Sequence, residues 1–195
     1  MSDPDTLKFY DTQTDAYQKL AAGFENAALR DFAEQLPAGG HILDLGCGPG
    51  LDSALLVKAG FVVTAMDASA VMLRQAGMNP GVQTRLATFS DLDDVDVFDG
   101  IWAHFSLLHA PKTDLPAHLA AIHLALKPGG SLGLALKIGT GEARDKLGCF
   151  FAYYQEDELL ALLESNGFTV INIARGSSVG MAGTNDPFLM VTAHA

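Results

Sequence analysis

Residues 44–50 read Asp-Leu-Gly-Cys-Gly-Pro-Gly and complete a short apolar run that begins at residue 41. Glycines in such a place let the backbone turn sharply and let a ligand lie against bare amides at a helix N-terminus. The dinucleotide pattern G-x-G-x-x-G needs its third glycine at position 51, where this chain has Leu51. Here the third glycine is Gly50, and an acid, Asp44, stands two residues ahead of Gly46. A second acid, Asp67, lies 21 residues beyond Gly46 at the end of a β-branched run. A carboxylate there can accept both hydroxyls of an adenosine ribose, in several nucleoside cofactors alike. Its alternative use is as a helix cap, which Ser69 is able to supply by itself. No His-x-x-His or Cys-x-x-Cys spacing occurs, and His118 and His123 face differently on one helix, so no metal site is expected. No G-x-S-x-G elbow supports acyl transfer, and Cys47, between glycines, reads as packing rather than as a nucleophile.

The elements that must hold these residues alternate along the chain. The first forty residues read as helical, with Tyr17, Leu20 and Phe24 on one stripe and Ala28, Leu29, Phe32 and Leu36 on another, ending before Pro37 and Gly39-Gly40. Strands are expected at 41–45, 61–67, 82–89, 99–106, 131–137, 168–174 and 187–193. Helices are expected at 51–59, 69–76, 114–126 and 155–166, with a Lys-Pro-Gly-Gly turn at 127–130. Strands that are apolar on both faces and alternate with helices predict an α/β fold built on a parallel sheet covered on both sides. Ligands in such sheets bind beyond the carboxyl ends of the strands, beside the switch in strand order. That rule selects the residues just after each strand.

The 195 residues suit one ordinary domain, able to hide roughly 70% of its unfolded surface. No repeat or low-complexity tract divides them. Twelve Lys and Arg against 23 Asp and Glu give a net charge of −11, and no basic run offsets it locally. Such a surface repels phosphate backbones and anionic membranes, so no nucleic-acid or membrane partner is expected. The longest uncharged stretches, 100–111 and 115–126, are too short to span a bilayer, and the acidic N-terminus has no apolar core of a secretory signal. With only Cys47 and Cys149, a reducing cytoplasm is the expected compartment.

The Asp44–Gly50 run resembles motif I of class I methyltransferases, which use S-adenosylmethionine (SAM). The likeness extends over roughly residues 9–193. It is carried by FDGIWAHFSLLHAP at 98–111, LKPGG at 126–130, FFAYYQEDEL at 150–159 and FYDTQTDAYQKL near the N-terminus, similar to that family's cofactor-covering segment. The resemblance implies a doubly wound, Rossmann-like sheet of seven strands, mostly parallel with the last antiparallel, and helices on both faces. It implies an N-terminal helical cap over 1–38 and a catalytic core over 39–195. It also implies methyl transfer from SAM to a small-molecule acceptor, with S-adenosylhomocysteine (SAH) as product.

Carried over position by position, the resemblance places Asp44, Gly46, Cys47 and Gly48 along the methionine part of SAM and Asp67 on the ribose. Ala68 and Met72 would flank the adenine, Thr88 and Phe89 would meet its edge, and Ala103 and His104 would run beneath the cofactor. Many relatives carry an acid near Thr88; here the nearest is Asp91. Tyr10 and Tyr17 would close over the sulfonium, whose charge an aromatic face stabilises, or simply pin the N-terminal helix. His109 is the first candidate for a base that removes the acceptor's proton, and Tyr153 and Tyr154 the second, with Lys137 at the active edge and 138–150 as a lid. Trp102 and Phe105 read as core. The turn HFSL at 104–107 is not the N-P-P-Y type of amino-methylating DNA enzymes. Two rivals remain: a Rossmann-type NAD(P)-dependent oxidoreductase and a non-catalytic SAM-binding module.

Overall fold

The structure is a computed structural model and describes residues 3–21 and 27–195. Two helices, α1 (Pro4–Ala21) and α2 (Ala27–Ala33), precede the first strand. Asp3 caps α1 by accepting the backbone N–H of Thr6 at 2.9 Å, and the helix kinks at Gln13, where φ is −114° and ψ 16°. Phe24, expected on the first helical stripe, lies outside the described residues, whereas Leu29 and Phe32 of the second stripe are buried.

From residue 41 the chain alternates: β1 (His41–Leu45), α3 (Leu51–Lys58), β2 (Val62–Asp67), α4 (Ala70–Ala76), β3 (Val82–Leu86), β4 (Phe98–His104), α5 (Leu115–Ala125) and β5 (Leu126–Lys137). A small hairpin follows, β6 (Glu142–Arg144) with β7 (Phe150–Ala152), then α6 (Glu156–Ser165), β8 (Thr169–Val179) and β9 (Asn185–His194). The main sheet has seven strands in the order β3-β2-β1-β4-β5-β9-β8. Neighbours from β3 to β5 pair in parallel, and β9 runs antiparallel to both β5 and β8. This is the doubly wound sheet with an antiparallel last strand that the resemblance implies.

Successive side chains of a strand point to opposite faces, and the two cores follow that alternation. Leu43, Ile101, Leu134 and Val191 join one core with Leu119 of α5 and Leu159 of α6. Ile42, Trp102, Ala135 and Met190 join the other with Phe32 of α2 and Leu56 of α3. Helices therefore cover both faces.

Three boundaries differ from expectation. The strand placed at 82–89 stops at Leu86, because the Asp91 carboxylate accepts both the backbone N–H and the hydroxyl of Thr88 (2.8 and 2.7 Å) and turns the chain into a short 3₁₀ segment. The Lys-Pro-Gly-Gly turn lies inside β5 as a bulge: Phe98 pairs with Leu126, but Gly100 pairs with Ser131. The last two strands run longer than expected, and their tip, 176–188, extends as a hairpin beside the sheet's active end.

The strand order reverses between β1 and β4, where Asp44 pairs with Trp102. Their carboxyl ends open together, and the glycine run and His104 emerge there.

Candidate active site

A cavity of about 670 Å³ occupies this switch point. Its walls come from the glycine loop, the ends of β4 and β5, the inner side of α1, α2, the β6–β7 hairpin and the β8–β9 tip.

The loop is tied to β2 from below, with the N–H groups of Gly46 and Cys47 both donating to the Met66 carbonyl, at 2.8 and 3.0 Å. Gly50 ends the loop at φ 78° as the residue capping α3, and a Cβ there would meet Ala76 Cβ at 2.6 Å. Both facts demand glycine, the first by torsion and the second by space. Gly48, at φ 53°, has only the Tyr17 ring edge near its missing Cβ, at 3.6 Å. Its N–H donates to the Asp67 carboxylate at 2.9 Å, and Ser69 N–H donates to the other oxygen at 2.8 Å. Each oxygen keeps further acceptor capacity. Asp67 does not itself cap α4; Ser69 does, through Met72 N–H at 3.0 Å.

Three carboxylates crowd this end. Asp44 is 3% exposed, accepts the Ser53 hydroxyl at 2.5 Å and is pushed up to about 8 by burial and then by the charges of Asp52 and Asp67. Burial also raises Asp67. Tyr17, pushed up to about 12 by burial and by the same three acids, lies within their field. Such a cluster favours a cation.

His104 and its neighbours form one unit. Trp102 Nε1–H donates to Asp52 Oδ2 at 2.8 Å, His104 Nδ1 lies 3.6 Å from that oxygen, and the two rings stack at 5.1 Å. Burial lowers the His104 pKa while Asp52 pulls it up, so the imidazole is neutral near pH 7 with a carboxylate behind it. Its Nε2 makes no hydrogen bond among the described residues. His109 is different. Its Nδ1 is 2.8 Å from the Phe150 carbonyl, which makes that nitrogen the N–H donor, and its Nε2 then accepts the Tyr10 hydroxyl at 3.2 Å. Burial first, and Lys137 after it, push His109 down to about 4.

Of the residues expected to hold a cofactor, Tyr17, Asp44, Gly46, Cys47 and His104 line the cavity, and Gly48 and Asp67 stand directly behind the loop. Ala68, Met72, Thr88, Phe89 and Ala103 do not line it. Phe89 and Ala103 are buried in the core, and α1 reaches the start of α4, where the Ser69 hydroxyl donates to the Asp11 carboxylate. Of the residues expected to act on an acceptor, His109 lines the cavity but Tyr153 and Tyr154 do not. Tyr154 is 2% exposed, with Lys112 Nζ over its ring at 4.7 Å, and Tyr153 packs on Gly139. Phe151, two residues earlier, faces the cavity in their place, beneath Lys137 Nζ at 3.7 Å from the ring centroid.

Sequence reasoning missed Asp52 and the β8–β9 tip, and it read Phe105 as core although the structure places it on the cavity wall. Asp52 was visible as an acid in the first turn after the glycine loop; nothing in the sequence marks Phe105, which sits at φ 54°. The segment 138–150, expected as a lid, carries β6 and the turn into β7, and contributes Asp145 and Cys149 to the cavity. Among the described residues no group of three His, Cys, Asp or Glu side chains could hold a metal ion, and no helix is long and apolar enough to cross a membrane.

Comparison with known proteins places this geometry in context. The sequence model of the family described as "Methyltransferase domain" matches residues 42–130. Malonyl-[acyl-carrier protein] O-methyltransferase of Pseudescherichia vulneris is 32% identical over 122 residues, 60% of this chain and 46% of the relative. Ubiquinone biosynthesis O-methyltransferase of Xanthomonas axonopodis pv. citri is 36% identical over 106 residues, 51% of this chain and 44% of the relative. The chain thus spans less than half the length of these curated relatives. Among solved structures, the 1,6-didemethyltoxoflavin-N1-methyltransferase of Burkholderia thailandensis, crystallised with that substrate and SAH, superposes with a TM-score of 0.74. It is 24% identical, over 96% of this chain and 87% of that one. The [4+2]-cyclase SpnF superposes with a TM-score of 0.75 at 21% identity, over 96% of this chain and 93% of that one. At such identity the likeness establishes the fold.

Proposed function

We propose that this chain, which has the fold of SAM-dependent methyltransferases and whose residues 42–130 match the methyltransferase-domain family, transfers a methyl group from SAM to a small-molecule acceptor. The observation that carries the reading is the cradle of Gly46–Gly50 set among Asp44, Asp52 and Asp67. SAM bears a sulfonium and an ammonium, and a glycine loop set among three acids suits both. A nicotinamide dinucleotide would bring two phosphate charges against the same acids, and Leu51 fills the position where its loop needs glycine. Ser106 supplies a further fit. Its hydroxyl is buried beside Gly46 and makes no hydrogen bond among the described residues.

Asp44, Gly46, Cys47 and Gly48 would hold the amino-acid part of SAM, Asp67 its ribose, and Tyr17 the sulfonium side. SAM supplies an activated methyl and its own leaving group, so the chain's main task is alignment, worth about 7–11 kcal/mol when geometry is good. An acceptor hydroxyl or amine must also lose a proton. His104 is the better-placed group, neutral, backed by Asp52 and with Nε2 uncommitted. His109, with both nitrogens engaged, can act only if the acceptor displaces the Tyr10 hydroxyl. The free thiols of Cys47 and Cys149 fit a reducing compartment.

Thermal unfolding with SAM, SAH and NAD(P) tests the reading. A ligand at about 100 times its Kd adds about 2.7 kcal/mol, which raises the midpoint by roughly 5–10 °C here. A shift with NAD(P) alone would refute methyl transfer. SAH released from SAM in the presence of an acceptor separates an enzyme from a binding module.

A further inference from the structure

We propose that the acceptor end of the cavity is a slot for a flat aromatic ring, uncharged or cationic, and that it turns away carboxylates and phosphates; the inference rests on the methyl-transfer reading above. Two series of rings line it. One runs from α1 to β7, with centroids of Tyr10 and His109 5.3 Å apart and of His109 and Phe151 4.7 Å apart. The other runs from the end of β4 to β9, with His104 and Phe105 4.5 Å apart and Phe105 and Phe188 5.2 Å apart at 89°. Phe105 belongs to this wall through an unusual backbone. Its φ of 54° is costly for a bulky residue and persists only where the surroundings impose it. Here its N–H donates to the Ala135 carbonyl at 3.1 Å, and its ring is set between those of His104 and Phe188. An aromatic guest finds edge and face partners on both walls.

Charge sets the second half of the specificity. Asp31, Asp52 and Asp145 line the cavity as carboxylates, with Asp44 protonated near pH 7, against Lys137 and Arg175. Both cations are committed: Lys137 Nζ to Asp186 at 2.7 Å, and Arg175 to both oxygens of Glu156. Burial keeps His104 and His109 neutral near pH 7, so neither offsets the acids. An anionic acceptor meets carboxylates with no free counter-charge among the described residues lining the cavity, whereas a neutral or ammonium-bearing ring does not.

Calorimetric titration of the full chain saturated with SAH, using four probes of similar size, tests the inference: 2-naphthol, 2-naphthylmethylamine, 2-naphthoate and the saturated alcohol 2-decalol. The naphthol and the amine should bind at least about tenfold more tightly than naphthoate. Naphthol should exceed decalol by about two- to tenfold. Phe188→Leu should bring the naphthol-to-decalol ratio toward one, and Asp145→Asn should narrow the gap to naphthoate. Naphthoate binding as well as naphthol, decalol matching naphthol, or no probe binding at millimolar concentration each overturns the inference, while SAH binding in the same cell leaves methyl transfer standing. A chain that does not bind SAH at all takes both down together.

Discussion

Asp44 shows how one buried residue ties ligand, charge and stability. A carboxyl raised from 3.8 to about 8 binds its proton more tightly in the folded chain than in the unfolded one. Its contribution to stability therefore falls as pH rises through that interval. The buried histidines, whose pKa values are lowered, act with the opposite sign but only below about 6.5, where the unfolded imidazole begins to bind protons. Between pH 6.5 and 8 the ligand-free chain should lose up to about 2 kcal/mol, seen as a falling urea midpoint, and Asp44→Asn should flatten that slope. SAM binding at pH 7 should release a proton, read by calorimetry in buffers of different ionisation enthalpy. Two neighbouring glycines separate torsion from space. Gly50→Ala combines a left-handed torsion with a clash at Ala76 and should cost about 2–4 kcal/mol by denaturant titration. Gly48→Ala meets only the Tyr17 ring edge at ordinary contact distance and should cost about 1 kcal/mol through its left-handed torsion, its larger effect falling on SAH affinity. On an acceptor that turns over, His104→Gln should lower kcat by about 10²–10⁴-fold and remove the acid limb of the pH profile. An unchanged limb would assign the proton to His109 instead.

At the scale of elements, α1 behaves as a strap with three fastenings. Arg144 holds Asp3 with both guanidinium nitrogens (3.0 and 2.6 Å), the Thr6 hydroxyl accepts Phe150 N–H at 2.8 Å, and Asp11 accepts the Ser69 hydroxyl. The Asp3–Arg144 pair draws the Asp3 carboxyl far below its ordinary value, so this fastening holds above pH 4 and fades as pH falls. With Arg144 44% exposed, solvent screens the pair and it adds little to global stability. Arg144→Ala should thus leave the thermal midpoint nearly unchanged, yet raise amide exchange within α1 up to about fivefold by mass spectrometry. Equal protection in the variant would show that the other two fastenings suffice. The periodicity of α1 was plain in the sequence, but its docking on α4 was not, because the Asp11–Ser69 bond joins residues 58 positions apart.

For the whole molecule, net charge adds a kinetic signature. A surface at −11 attracts SAM, which carries one net positive charge, and is indifferent to SAH, which carries none. Raising salt from about 20 to 500 mM should slow SAM association by roughly threefold in stopped-flow and SAH association by less. Equal salt dependence for the two would mean that the field at the cavity mouth is not the net field of the chain. The reversal of strand order between β1 and β4 matters at this scale too. It opens one cleft in an otherwise covered sheet and brings residues from 9 to 192 to its walls.

Local chemistry carries its own signature in the chain. Gly50 is forced by a torsion, Asp67 ends a β-branched strand, and the apolar runs of β1, β4 and β5 alternate between two cores, so the fold, the glycine loop and the places of Asp44 and Asp67 were legible in the sequence. The wall opposite the loop was not. Whether Tyr154 or Phe151 faces the cavity depends on the phase of a three-residue strand set by pairing with Glu142–Arg144. Whether His104 or His109 keeps a free nitrogen depends on Asp52, Phe150 and Tyr10, partners brought in from 41 to 99 residues away. Strand and helix periods are local and written in the order of residues; the choice of which nitrogen is free, and which ring lines the slot, is made only when distant elements close on one another.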